Sequence, residues 1–282
     1  MWTRERLKTS AKEVLKANYW MAFAVCIVFA IITSFGASSG YRGTSNLGST
    51  NNNYTSSRTH MIDVRDYLDD NTNMSESEIQ QAQNIVDSYF NPAIIAISVG
   101  ALVFSLFISL LKAAFNIFVT SPMTVGYNKY FIDQHYGNAN FVNLFDGFRN
   151  GKYMARVKVM FFYRLFIWLW TLLFIIPGII KELEYFMIPY ILADNPDISK
   201  DRAFEITKKT MEGEKWDLFV LQLSFIGWQL LGLLACCIGT YFVTPYVQAT
   251  YCELYLVLRD KAIAKGIAAP EEFNLTAAPA QY

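Results

Sequence analysis

The sequence is poor in the residues that metal and redox chemistry draw on. Its 282 residues include two histidines, His60 and His135, and four cysteines. Cys26, Cys236, Cys237 and Cys252 all fall inside apolar blocks, so they read as small buried side chains, and a disulfide framework is excluded. Adjacent Cys236-Cys237 lacks the spacing of a zinc pair, and both histidines sit in polar loops without a second ligand at helical or hairpin spacing. No metal site and no cofactor is therefore expected. A P-loop, a nucleophile elbow, an HExxH pair and a dinucleotide fingerprint are all missing, which argues against an enzyme. Charge is scarce as well, at 17% of residues, where a soluble domain carries about 25%.

Apolar residues fill what remains, at 53%, with aromatics at 16%. Charged residues are nearly absent from several long blocks and crowded between them, as happens when lipid is one of the solvents. Residues 1–19 form an amphipathic helix with Leu7, Ala11, Val14 and Leu15 on one side and Arg6, Lys8, Lys12 and Lys16 on the others. That pattern suits an anionic membrane surface. Trp20 to Gly36 is then a first span of the minimum length, roughly 17 residues. A cleaved signal peptide ending near Ala37-Ser38-Ser39 is the competing reading of this region.

Residues 38–91 are a polar insertion rich in Gly, Ser, Thr and Asn, too hydrophilic to fold alone and expected to be mobile in its first half. Ser75 and Glu78 form a capping box that opens a short helix carrying Ile79, Ala82, Val86 and Tyr89. A second span follows from Pro92 to Val119, then an interfacial polar stretch from Ser121 to Arg156, then a third span from Val157 to Ile176 ended by Pro177-Gly178. Residues 179–193 are apolar but short, which leaves a short crossing or a re-entrant piece. Residues 199–213 read as a second surface helix with Ala203, Phe204, Thr207 and Met211 on its apolar face. The block from Trp216 to Leu258 is about 60 Å long as a helix and must fold back, near Cys237 to Tyr241.

Lys and Arg concentrate in the N-terminus, the middle loop, the second surface helix and the tail, 259–282, whereas the insertion has three arginines against seven acids. The positive-inside rule puts the four basic segments in the cytoplasm and the insertion outside. Parity then requires an even number of crossings between basic segments. The expected fold is an all-α integral membrane bundle over residues 20–258, with about six transmembrane helices in three hairpins, amphipathic surface helices and both termini cytoplasmic. A re-entrant third element satisfies parity equally.

Polar groups within the apolar blocks are the candidate site, because a charge at bilayer depth costs several kcal/mol unless it snorkels, pairs or lines a cavity. Lys112, Asn116, Arg164, Gln222 and Glu253 are placed at one depth, forming either an inner-leaflet pocket for an anionic headgroup or a structural ion-pair cluster with snorkelling lysines. Pro177 and Gly178 are a candidate helix break of the kind transporters use for binding, with a plain tight hairpin as the alternative. Asp194-Asn195-Pro196-Asp197 reads as turn chemistry before a capped helix and not as a cation site. The basic helices interleave charge with an apolar face, which points to anionic membrane lipids as partners and away from nucleic acid.

Several segments resemble a known family. The opening Trp2-Thr3-Arg4, Leu7-Lys8, Ala11-Lys12, Leu15-Lys16, Asn18-Tyr19-Trp20 is similar to the start of the domain of unknown function 975 family. LWTLLFIIPGIIK from Leu169, PYILADNPDIS from Pro189, KWDLFVLQLSFIGW from Lys215, and Thr244-Pro245-Tyr246 strengthen the likeness, which covers nearly all of the chain except the Asn-rich insertion. The resemblance implies residence in the bacterial cytoplasmic membrane, mostly in Gram-positive organisms, and carries no established activity. The expected role is a non-catalytic scaffold or envelope-related factor acting through lipid and protein contacts. A small-molecule or lipid transporter using the polar cluster, or a membrane-embedded lipid enzyme, are the alternatives.

Overall fold

The computed structural model describes residues 2–36, 75, 77–78, 80–81, 84, 92–149, 151, 153–234 and 238–275. Among them the regular structure is all helical, without a strand. The first half of the insertion, the positions Ile79, Ala82, Val86 and Tyr89, the Ala37-Ser38-Ser39 site, and Cys236 and Cys237 lie outside the described residues. The chain divides into two compact units, residues 38–112 and the remainder.

In the smaller unit half of the Ser75–Glu78 box forms: the Ser75 N–H donates to Glu78 Oε2 at 2.9 Å, but the Ser75 hydroxyl donates to the same oxygen at 2.7 Å, and the Glu78 N–H bonds the Ser75 carbonyl instead of the hydroxyl. Helix α2 (Pro92–Phe115) follows, and its Leu102, Phe104, Leu106, Phe107 and Leu110 are all more than half exposed.

In the larger unit α1 (Arg4–Gly36) bends at Asn18, where the backbone leaves helical geometry (φ −141°, ψ 37°). Its charged half does not lie on lipid with its apolar face, as the amphipathic pattern suggests. Leu7, Ala11 and Leu15 are buried in the protein core. They pack on α9 (Ile238–Ala264), which runs antiparallel to α1. Contacts fix that register from end to end: Ser10 Oγ donates to Glu253 Oε2 at 2.7 Å, the Lys12 ammonium sits 5.7 Å from the Tyr246 ring centroid, and the Tyr19 hydroxyl donates to the Phe242 carbonyl at 2.9 Å. The amphipathic signal is real, but a folded partner satisfies it in place of the bilayer.

The segment after α2 differs from the interfacial stretch expected for Ser121 to Arg156. A π-turn, Asn116–Thr120, leads into α3 (Ser121–His135), and Met123, Val125, Tyr127, Tyr130, Phe131 and Ile132 on α3 are all nearly inaccessible. This helix is the centre of the core, and a helix covered on every side shows no apolar stripe in its sequence. Against it lies a 3-10 segment, Phe141–Phe148, at very close range. A Cβ added to Gly126 would stand 2.1 Å from the Leu144 carbonyl oxygen, and one added to Gly147 only 1.8 Å from that of Pro122. Arg156 holds the end of the segment, its buried Nη1 donating to the carbonyls of Asp146, Gly147 and Arg149 at 2.7, 2.9 and 3.1 Å.

Helix α4 (Tyr153–Leu173) and α5 (Ile175–Glu184) form the next hairpin. The break falls at Phe174, extended at φ −156° and ψ 145°, and not at Pro177-Gly178, which lie inside the first turns of α5. Proline tolerates that position because first-turn N–H groups have no helical acceptor. Gly178 serves packing: a Cβ there would meet Thr171 Oγ1 at 2.3 Å, so its absence lets α5 lie against α4. Ten residues make α5 about 15 Å long, half a bilayer core. A turn at Tyr185–Met187 then leads to the buried α6 (Ile188–Asp194).

Helix α7 (Lys200–Thr210) begins at Ser199, whose hydroxyl accepts from the Arg202 N–H, and buries Ala203, Ile206, Thr207 and Thr210. It too packs on protein. Helix α8 (Lys215–Leu234) pairs with α9, closest where Gly232 meets Thr240, at 2.7 Å from an added Cβ. Of the turn expected around Cys237 to Tyr241, Cys237 lies outside the described residues, whereas Gly239, Thr240 and Tyr241 belong to α9. The tail continues past Ala264 into a 3-10 turn, Pro270–Phe273, with Phe273 buried.

Among the described residues, two helical stretches are long and apolar enough to cross a membrane, Arg4–Ser34 and Ala96–His135.

Candidate functional site

Of the five polar candidates, the fold brings Arg164 and Asn116 together. The π-turn places Asn116 opposite α4, and its Oδ1 accepts from Arg164 Nη1 at 2.5 Å. Such turns widen the helix by one residue and recur at functional sites. Ser121 Oγ donates to the Asn116 carbonyl at 3.1 Å, beside the Ser121 N–H that closes the π-turn on the same oxygen. Arg164 lies half-buried in mid-α4, and among the described residues no carboxylate pairs with it.

A second polar contact joins the same elements, from the Tyr153 hydroxyl to the Phe118 carbonyl. Between these contacts a groove of about 580 Å³ opens, lined by Ile117, Phe118, Met154, Ala155, Val157, Lys158 and Phe161. Lys158 is its one charged lining residue.

The other candidates take different places. Glu253 is buried and joins neither Lys112 nor Arg164. It accepts from Ser10 through Oε2 and meets His135 Nδ1 through Oε1 at 2.6 Å, tying α1, α3 and α9. His135 is thus the end of a core helix and not a loop residue, a pairing across 118 positions that no local pattern announces. Gln222 is half-buried on α8, one helical turn from Leu218 on the core-facing side, and takes no part in the Arg164–Asn116 contact. Lys112 is half-buried near the end of α2. Pro177 and Gly178 stay helical and open no gap for a ligand.

Sequence reasoning missed the ion pairs that bind the polar ends of the helices. Asp194 Oδ2 accepts from Arg259 Nη1 at 3.0 Å and from the Tyr255 hydroxyl at 2.6 Å, while Arg259 Nη2 donates to the Tyr136 hydroxyl at 2.7 Å. Glu184 takes both Lys181 and Lys215. Glu214 takes Lys261 and the Trp2 indole N–H; burial alone would raise its carboxyl, but these two donors hold it below the usual range. The Asp194–Asp197 turn is consumed the same way, with Asn195 Nδ2 donating to the Glu272 carbonyl and Asn195 Oδ1 accepting from the Asp197 N–H.

Arg202 fastens the tail through a forked contact with Glu272, 2.6 Å from Nε and 3.0 Å from Nη2, and it also reaches Glu205 at 2.8 Å. The Arg202 bonds lower the Glu272 carboxyl, and Lys209 with Arg202 draws Glu205 down to about 2. A depressed carboxylate stabilises above its unfolded value, about 4.3 for glutamate, and that contribution disappears as the pH falls through the folded value. Amide exchange over residues 267–275 is therefore expected to be slow at pH 7 and to accelerate once corrected for intrinsic rate below about pH 4, with α3 still protected. Glu272→Gln at pH 7 should reproduce the loosening. Equal tail protection at both pH values would show that the Arg202–Glu272 ion pair does not anchor it.

No curated protein and no solved structure matches the chain. One family does: residues 1–262 match the model described as protein of unknown function, DUF975. With the match covering the polar-paired core, both hairpins and α1, the chain belongs to the domain of unknown function 975 family.

Proposed function

We propose that this is an integral protein of the bacterial cytoplasmic membrane, a non-catalytic scaffold that presents a packed helical core at the inner face through lipid and protein contacts. The observation carrying this reading is the division of its surface. Large apolar side chains are exposed on α2, on α1 beyond Asn18 (Trp20 71%, Ile31 56%), at the α4–α5 tip (Phe174 67%, Ile175 72%) and at the end of α8 (Leu234 82%). Contiguous exposed apolar patches of this extent mark contact with lipid or protein, since soluble monomers keep such patches to a few hundred Å². Charges, in contrast, gather in pairs around the core and on the charged half of α1.

The depth of each hairpin follows from what lies beside it. The charged half of α1 carries Arg4, Arg6, Lys8, Lys12 and Lys16 and cannot enter hydrocarbon. Lys8 stacks over Phe225 at 4.7 Å and bonds Ser224, and Lys12 covers Tyr246. The stretches of α8 and α9 beside them stay at the interface, leaving residues 226–234 and 238–245 for lipid, roughly 12–14 Å on each arm. The returning arm α5 is equally short, so the α4–α5 hairpin cannot cross the bilayer twice at full length. In this reading α1 and α2 cross the bilayer, the two hairpins re-enter from the cytoplasmic side, and the insertion is outside. A six-crossing bundle, the other arrangement that parity allows, needs both hairpin tips at the far face.

In a background without native cysteines, an impermeant maleimide applied to intact cells should label Ser49→Cys and leave Ile176→Cys unlabelled until the membrane is opened. External labelling of Ile176→Cys would replace the re-entrant hairpins with six crossings. Tags on its termini reporting opposite faces would overturn both arrangements, and recovery of the protein in the aqueous phase of a detergent partition would sink the membrane reading itself.

A further inference from the structure

We propose that the groove between the π-turn and the first turns of α4 is a binding site for one anionic glycerophospholipid, its acyl chain on the apolar floor and its phosphate on Lys158. The proposal rests on the membrane reading above. Along α4 the groove is bracketed by two polar contacts, Tyr153 to Phe118 and Arg164 to Asn116. Eleven residues separate the brackets, about 16 Å of helix along which one acyl chain can lie. Its lining is Ile117, Phe118, Ala155, Val157 and Phe161 with Met154 at the mouth, and no acidic residue is among them.

Charge selects the headgroup. Lys158 is exposed and makes no ion pair among the described residues, whereas Lys181, Lys215 and Lys261 in the core are each committed to a glutamate. A helical side chain leans toward its own N-terminus, so Lys158 leans from the groove toward the Tyr153 end, where α4 leaves the basic middle loop and meets the headgroups. A free acid chain or a neutral lipid would leave that cation without a phosphate. The apolar floor gives inorganic phosphate nothing to hold.

The test is native mass spectrometry of the full-length protein in detergent, titrated with dioleoyl phosphatidylglycerol or dioleoyl phosphatidylcholine. One basic side chain at a membrane surface supports a preference of about fivefold for the anionic lipid. The wild type should show it for the first lipid bound, and Lys158→Gln should remove it while leaving phosphatidylcholine binding unchanged. Ala155→Trp, at an exposed position on the floor, should weaken both lipids about tenfold with its thermal unfolding unaltered. A preference that survives Lys158→Gln, equal affinity of the wild type for both lipids, or undiminished binding to Ala155→Trp would each overturn the site. Protein that partitions into detergent yet shows one of those results refutes the groove alone; protein that stays in the aqueous phase refutes the membrane reading beneath it.

Discussion

Arg259→Ala should cost about 3–5 kcal/mol of stability, the range for removing one partner of a buried ion pair. Arg259 and Asp194 are 3% and 6% exposed at their side chains, so neither charge has water to fall back on. Both Tyr255 and Arg259 donate to Asp194 Oδ2, and Arg259 reaches on to Tyr136. Truncation at 259 leaves the Asp194 carboxylate desolvated with a hydroxyl as its remaining side-chain partner, and the Tyr136 hydroxyl without its donor. The pair also closes the fold, joining the end of α6 to the end of α9 across 65 residues. The double change Asp194→Asn with Arg259→Met should recover much of the loss, because the penalty comes mainly from the orphaned charge. Chemical unfolding in detergent, followed by tryptophan fluorescence, measures both. A loss below about 1 kcal/mol for Arg259→Ala would mean that water reaches the pair as it does at a surface.

Gly126→Ala and Gly147→Ala are each expected to destabilise by about 3 kcal/mol or more, at or above the upper end for overpacking. The clashing atoms are the backbone carbonyls of Leu144 and Pro122. No rotamer change relieves such a clash, so α3 and the Phe141–Phe148 segment must part. Separation also strains the three bonds from Arg156, and Arg156→Lys, which keeps charge but loses the planar fork, should loosen the same segment. Because both glycines act at one interface, the double substitution should cost less than the sum of the two. Gly227→Ala is the internal control: an added Cβ there has nothing within 4 Å, and helix propensity predicts a gain of about 0.5–1 kcal/mol. Comparable losses at 126, 147 and 227 would refute the packing account. Amide exchange over residues 141–149 locates the opening.

Lys215 and Trp216 show how local legibility ends. The apolar run that follows reads as lipid-facing, and for Trp228, Leu230 and Leu234 that agrees with their exposure. Leu218, Leu221 and Phe225 in the same run are wholly buried against protein. Hydropathy records that a side chain leaves water and not what it leaves water for. Leu7, Ala11 and Leu15 carry the same ambiguity: a stripe that fits a bilayer also fits α9.

By itself the sequence determined that the chain is helical, that it belongs to its family, where α2, α7 and α8 begin, and which of its surfaces reject water, because these follow from short-range periodicity, capping and composition. Tertiary structure alone decided that α3 is the core, that the hairpin turns at Phe174, that Glu253 meets His135 and that Arg164 meets Asn116. Those outcomes depend on side chains 48 to 118 positions apart and on backbones that touch only where glycine lacks a Cβ. Neither condition leaves a trace in a window of neighbouring residues.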